Sequence, residues 1–350
     1  MSDSSKLDGR GRGGAFGRSF FSELKLCLIC GVYLYLNFYI FAIPPLVYYA
    51  WQGSLVPRLL VLLTVIDAAI PLRPGPRGRW VAFCKLTSMA EGFSYFDAEC
   101  IVEGSYRKDK NYLVVNHPHA LFGIAVNLWG KRLVEKYGTM PFFTVADIIF
   151  TLPLLRRLMV WWGATRVSAA PLKELLSQPY PHNVSMLQPG GVAEMFYGVD
   201  CEQIILEKRK GFCKVALQTG ASLVPCYAFG ANEIFSRKFG PHSLLAKLSS
   251  ALRTSLVFWL GRWGVPYGFV PINSKLVVAL GAPLDVERVA EPSREQVEAL
   301  HARYCAALKD LFDRHKARMG PEWVRRRGEL LFESGRSTTN TKGVTKGKTA

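Results

Sequence analysis

Apolar positions along the chain fall into two regimes. Between Leu26 and Pro57 they run without a charged residue, a stretch longer than the roughly 20 apolar residues that cross a bilayer core. Pro44-Pro45 divides it. Proline lacks an amide donor and disfavours a helical residue before it, so the pair predicts a turn or a sharp kink. A second apolar piece runs from Leu59 to Pro71, preceded by Arg58 and interrupted by Asp67. Lys6, Arg10, Arg12, Arg18 and Lys25 precede these segments, and Arg73, Arg77, Arg79 and Lys85 follow them. Basic flanks resist translocation. The pattern therefore predicts a helical hairpin over residues 26–72 that enters and leaves by one face, with a single crossing at Leu26–Trp51 plus an interfacial helix as the alternative. The run is too long for a cleaved signal peptide and shows no small-residue cleavage site.

From residue 73 to 320 the pattern changes to short β-branched apolar runs alternating with helical periodicity. Strands are predicted at Tyr112–Val115, Asn183–Leu187, Ser222–Phe229 and Lys275–Leu280, and helices around Leu121–Tyr137, Leu172–Leu176 and Lys210–Thr219. Such alternation predicts an α/β domain with a largely parallel sheet flanked by helices. A final helix starts at a Ser293 cap and carries Val297, Leu300, Tyr304, Leu308, Leu311 and His315 at three- and four-residue spacing. Residues 1–25 form a basic tail, and residues 321–350 a second tail ending in Ser, Thr, Lys and Gly; both compositions predict largely disordered chain.

Composition narrows the class. Hydrophobic residues make up 49% of 350, and 44 Lys and Arg stand against 27 Asp and Glu, a formal charge of +17. A basic, apolar chain suits an anionic membrane surface or a phosphorylated ligand. No zinc-finger spacing, basic zipper or aromatic RNA-binding signature points to nucleic acid. The eight cysteines are scattered and form no disulfide framework, which fits a reducing compartment. No Gly-x-Ser-x-Gly elbow is present, nor a dinucleotide fingerprint after a strand. The terminal Gly347-Lys348-Thr349 lacks the P-loop's first glycine, since position 342 is lysine.

Three clusters carry candidate chemistry. The segment Asn111–Gly123, NYLVVNHPHALFG, ends a strand on His117-Pro118-His119, two of the chain's six histidines in one tripeptide. Strand ends of α/β sheets are where ligands bind, and a histidine takes a proton from a hydroxyl near neutral pH. No further ligands at metal-binding spacing accompany the pair, so no metal is expected. The second cluster is Gln188-Pro189-Gly190-Gly191-Val192-Ala193-Glu194, where glycines admit a close backbone approach and Glu194 is placed to orient a histidine. The third, Glu207–Gly211, sets Lys208, Arg209 and Lys210 before a helix start, a pattern that favours phosphate.

Together the clusters resemble the type-2 diacylglycerol acyltransferase family, which includes monoacylglycerol acyltransferases and wax-ester synthases. The family's HPHG box is similar to His117-Pro118-His119-Ala120, its glycine-glycine box to Gly190–Glu194, and its RKGF stretch to Arg209-Lys210-Gly211-Phe212. Val224-Pro225, Phe229-Gly230-Ala231-Asn232-Glu233 and the late LFDRHK at Leu311–Lys316 follow in order, so the resemblance covers about residues 75–320. It implies a glycerolipid acyltransferase-like fold. It also implies transfer of an acyl group from acyl-CoA, a co-substrate rather than a cofactor, to diacylglycerol. The alternatives are monoacylglycerol, a long-chain alcohol or a sterol as acceptor, or an inactive membrane scaffold. One of His117 and His119 would act as base, Glu194 would steady the imidazolium, and backbone amides near Gly190 and Gly191 would hold the oxyanion. Asn116, Pro118, Gly190, Gly191, Arg209, Lys210, Gly211, Asn232 and Glu233 are the implied substrate contacts. Membrane lipid is the implied partner, homo-oligomerisation stays open, and the endoplasmic reticulum with a cytosolic domain, or a lipid droplet, is the implied site.

Two positions depart from the family pattern. The histidine box ends in Ala120 instead of glycine, a harmless change where the backbone does not need positive φ. In Gly163–Ala169 an arginine usually follows the serine; here that position is Ala169, and Arg166 lies three residues earlier. Neither histidine has an aspartate five residues on, since those positions are Phe122 and Ile124. Glu194 is the residue expected to fill that role. Asn183-Val184-Ser185 is the chain's glycosylation sequon and bears on topology.

Overall fold

Strand formation follows the apolar runs that are buried on both faces. In the computed structural model, which describes residues 20–36, 38–252 and 256–334, the strands are β1 (Asp97–Val102), β2 (Tyr112–His117), β3 (Phe142–Val145), β4 (Ala164–Arg166), β5 (Val184–Leu187), β6 (Glu202–Ile205), β7 (Ser222–Phe229), β8 (Ser236–Arg237), β9 (Trp259–Leu260), β10 (Lys275–Leu280) and β11 (Leu330–Glu333). The helices are α1 (Phe20–Leu36), α2 (Tyr39–Trp51), α3 (Leu55–Ala69), α4 (Val81–Leu86), α5 (Val126–Tyr137), α6 (Leu155–Trp161), α7 (Ala169–Leu175), α8 (Gly191–Glu194), α9 (Gly211–Thr219), α10 (Leu244–Leu252), α11 (Arg294–His315) and α12 (Pro321–Arg327).

Seven strands form one sheet in the order β1-β10-β7-β2-β5-β3-β4. Every pairing is parallel except β10 with β7. This is the mostly parallel α/β sheet that the alternation predicts. The central strands β2 and β7 are buried along their whole length, as strands covered by helices on both faces must be. Tyr112, Val114 and the residues around α1 and α5 share one core, while Leu113, Val115 and residues of α9 and α11 share the other. Helix α11 begins at Ser293, whose hydroxyl accepts from the Gln296 amide in a capping box.

Several boundaries differ from expectation, each for a physical reason. α5 starts at Val126, because residues 121–125 form tight turns instead of a helical turn. The short strands β1, β3, β4 and β6 carry weak or interrupted apolar patterns and escaped prediction. The globular part also extends past residue 320. Trp323 of α12 packs on Phe229 and Phe312, and β11 pairs in parallel with β6. Of the expected tails, residues 1–19 and 335–350 lie outside the described residues, while residues 20–25, expected as disordered chain, open α1.

The hairpin is also rearranged. α1 begins at Phe20 and buries Leu26, Cys30, Gly31 and Leu34 against the globular part. The chain then bends by 76° into α2. Pro44 and Pro45 lie inside α2, since proline's fixed φ is compatible with a helix at the cost of two amide donors. The reversal comes instead at Gln52–Ser54, where Gly53 adopts φ 95°. Arg58 donates to the Ala50 carbonyl at that tip, 2.9 Å away. Among the described residues no single helix is long and apolar enough to cross a membrane; α1 and α2 meet that test only as a bent pair. Asp67, near the end of α3, is buried and accepts from Arg156 Nε and Arg157 Nε, both at 2.8 Å, and from the Leu154 amide at 3.0 Å. The acid that interrupts the apolar run is thus the clamp between hairpin and globular part.

Candidate active site

Register brings the first two clusters together. Val115 of β2 pairs with Leu187 of β5, so the parallel strands release Asn116–Ala120 and Gln188–Glu194 side by side at one end of the sheet. Asn116, His117 and Pro118 are buried, and His119 is half-buried. The His117–Pro118 peptide is cis. Glu194, 1% exposed, accepts from the His119 amide and from the Ile205 amide, each at 3.3 Å. Its carboxylate therefore holds the main chain of the histidine turn, whereas contact with an imidazole ring was expected; the His119 ring is turned to its own following carbonyl. Gly190 must lack a side chain, because a Cβ there would overlap the Glu194 carboxylate, and Gly191 takes φ 60° with open space where a Cβ would lie.

The hydrogen bonds distinguish the two histidines. Tyr304 donates its one hydroxyl proton to the Val115 carbonyl at 3.1 Å. Its oxygen must then accept from His117 Nε2, also at 3.1 Å. That leaves His117 Nδ1 unprotonated, fully buried and without a hydrogen-bond partner. Burial pushes the His117 pKa down to about 3, so this ring stays neutral. His119 is the reverse case. Its Nδ1 lies 3.0 Å from the Ala120 carbonyl, which only accepts, so Nδ1 carries the proton and Nε2 keeps a lone pair. Burial, and then the Arg237 charge, also lower the His119 pKa. Burial raises Glu194 to about 8 against the opposing pull of its two amide donors and of Arg209 and Arg237.

These shifts give a pH profile of stability. For the lowered histidines, stability is present above their ordinary value of about 6.5 and is lost as pH falls; for His117 alone the slope is about 1.4 kcal/mol per pH unit down towards 3. For Glu194, stability is present below 4.5 and is lost as pH rises to about 8. The site therefore stabilises the fold most near pH 6.5. Thermal unfolding should show Tm declining between pH 6.5 and 8, and Glu194→Gln should flatten that decline. An equal decline in the variant would contradict this origin.

Ala120 answers the first departure. Its φ is 52° and it is 1% exposed, so the position needs the left-handed conformation that glycine adopts freely. The alanine stores about 1 kcal/mol of strain in the residue whose carbonyl orients His119. Ala120→Gly should raise Tm, and an unchanged or lower Tm would show that the turn does not hold this strain. The second departure is less consequential: Arg166 is half-buried, pairs with Asp147 at 3.9 Å and lies over Phe150.

The third cluster is adjacent but separate. Arg209 acts on Glu194 through its charge. Lys210 caps α9 and pairs with Glu298 at 3.1 Å. Lys208, Lys210, Lys214 and Arg294 line a shallow cleft of about 450 Å³. Asn232 and Glu233 sit behind the site instead of facing it. Asn232 donates to Glu202 and accepts from Arg237, while Glu233 pairs with Arg327 at 3.2 Å. Glu202 also accepts from Tyr227 at 2.6 Å and pairs with Arg327 at 2.8 Å. Arg237 donates to the Met195 carbonyl at 2.5 Å, so this buried network braces the chain that follows Glu194. Tyr304 and Arg237 escaped the sequence reading, Tyr304 because its spacing marks it only as a core residue. Asn183 of the sequon is 4% exposed and donates to the Arg107 and Lys110 carbonyls. Its side-chain amide is committed to those carbonyls in the folded domain.

Residues 46–326 match the family described as Diacylglycerol acyltransferase. The chain is 31% identical to human Diacylglycerol O-acyltransferase 2-like protein 6, over 70% of this chain and 77% of that protein. It is 30% identical to Diacylglycerol O-acyltransferase 2 of Dictyostelium discoideum, over 63% and 71%. It is 30% identical to human Acyl-CoA wax alcohol acyltransferase 1, over 79% and 84%.

Proposed function

This chain belongs to the diacylglycerol acyltransferase family, and on that premise we propose that it moves an acyl group from acyl-CoA to the hydroxyl of diacylglycerol. The observation that carries the reading is the half-buried His119, with Nδ1 tied to the Ala120 carbonyl and Nε2 free to take a proton. In this mechanism Nε2 removes the acceptor's hydroxyl proton as its oxygen attacks the thioester carbonyl. The tetrahedral oxyanion is held by main-chain amides at the open turn around Gly191. The C–S bond then breaks, the imidazolium returns its proton to the CoA thiolate, and the ester leaves. His117 serves as a positioning residue, neutral and fixed by Tyr304. The cationic cleft at Lys208, Lys210 and Lys214 suits the phosphates of CoA.

The hairpin supplies the acceptor. α2 and α3 have 13 and 15 residues, about 20 Å each at 1.5 Å per residue, short of the ~30 Å hydrocarbon core. A re-entrant hairpin in one leaflet fits these lengths. It would hold the domain on the cytosolic face of the endoplasmic reticulum, or on a lipid droplet. A second reading, with a long-chain alcohol as acceptor, is favoured by the likeness to the wax alcohol enzyme.

Membranes from cells lacking neutral-lipid synthesis, expressing this chain and given labelled oleoyl-CoA with a panel of acceptors, decide between the two. Labelled triacylglycerol is expected. Label in wax esters instead would move the acceptor, and no labelled lipid from well-expressed protein would overturn the proposal.

A further inference from the structure

An exposed apolar patch lies outside the site and outside the hairpin. The loop Gly261–Gly268 holds out Trp263, 76% exposed, with Val265 and Tyr267. Trp263 and Tyr267 take φ 61° and 52°, a region that bulky residues rarely occupy. The loop is nonetheless pinned: Arg262 donates to the Val270 carbonyl at 2.8 Å, Tyr267 to Trp259 at 2.9 Å, and the Trp259 indole to Gly268 at 3.0 Å. The Trp263 ring is thus held outward by a fixed backbone.

The loop sits against the root of the hairpin. The Tyr35 hydroxyl donates to the Tyr267 carbonyl at 3.2 Å. Phe38, at the bend between α1 and α2, packs on Trp259 at 5.7 Å and on Tyr267 at 6.5 Å. The patch is therefore continuous with the exposed apolar surface of α2, which includes Phe41, Val47 and Tyr48. Tryptophan and tyrosine beside cations mark the membrane–water interface. Here Arg262 lies over Trp263 at 4.8 Å. Tyr267 packs on Trp259, and Trp259 on Phe122, three residues beyond His119, so patch and site share one aromatic row.

We propose that the loop Gly261–Gly268 forms a second membrane contact, seated in the interfacial layer of the leaflet that the hairpin enters. The occupant is lipid because the patch and the hairpin are one surface: whatever covers Tyr267 also meets Phe38. The inference rests on insertion of the hairpin, and the experiment separates the two. The full chain, in nanodiscs of phosphatidylcholine and phosphatidylserine with alkyne-tagged acyl chains, would carry p-benzoylphenylalanine in place of Trp263, of Val47 in α2, or of Glu287. Glu287 is exposed near Asp285, which bonds Ser222 at the start of β7, the opposite end of the sheet from His119. Irradiation should attach lipid at positions 263 and 47, and at 287 only at background. Lipid at 47 with background at 263, or protein adducts at 263 in place of lipid, would overturn the second contact. Background at 47 as well would overturn the hairpin reading, and the inference with it.

Discussion

His119→Ala lowers kcat by about 10²- to 10⁴-fold, the range a positioned general base contributes, while the protein keeps its fold and membrane association. The expectation rests on the two tautomers. His119 offers a lone pair at Nε2 from a half-buried ring, whereas His117 spends Nε2–H on Tyr304 and keeps Nδ1 in a sealed interior. The pH dependence should separate the two further. With His119 as base, kcat falls on the acid side through a pKa below 6.5, because burial favours the neutral ring. His117→Ala should instead act through stability, since it removes a packed ring and leaves Tyr304 with one partner fewer. Equal loss of kcat from both variants at equal Tm would contradict this division of roles.

Arg327→Ala should be the most damaging single change to the fold away from the histidines. The guanidinium is 7% exposed, pairs with Glu202 at 2.8 Å and Glu233 at 3.2 Å, and donates to the carbonyls of Gly198 and Val199. Removing it leaves Glu202 buried and without its cation, a loss of about 3–5 kcal/mol. At roughly 2–4 °C per kcal/mol for a domain of this size, Tm falls clearly in a detergent-solubilised melt. Glu202→Gln combined with Arg327→Met should lose less than Arg327→Ala alone, because position 202 then carries no buried charge left without Arg327. A small change in the single variant would mean that the network does not brace the chain after Glu194.

That prediction lies where the sequence reading stopped too early. The run Arg325–Arg327 reads as a solvated basic tail, and nothing local shows that its last guanidinium meets a glutamate 125 positions earlier. The central strands were legible because continuous apolar runs admit few other uses. The edge strands were not, since they are short and partly polar. The histidine turn and the glycine-glycine turn were legible as turns at strand ends, which the β2–β5 pairing brings together. Their inner assignment was not, because the residue that decides it, Tyr304, is 187 positions from His117. The same holds for Asn232 and Glu233, whose partners Glu202, Arg237 and Arg327 are joined only by the fold.

The most direct test of the account uses purified protein in diacylglycerol-containing nanodiscs with labelled oleoyl-CoA, following free CoA thiol and labelled acyl ester together. One thiol released per ester formed, both lost in His119→Ala and both retained in proportion to folded protein in His117→Ala, is the predicted result. Ester formation undiminished in His119→Ala would contradict it.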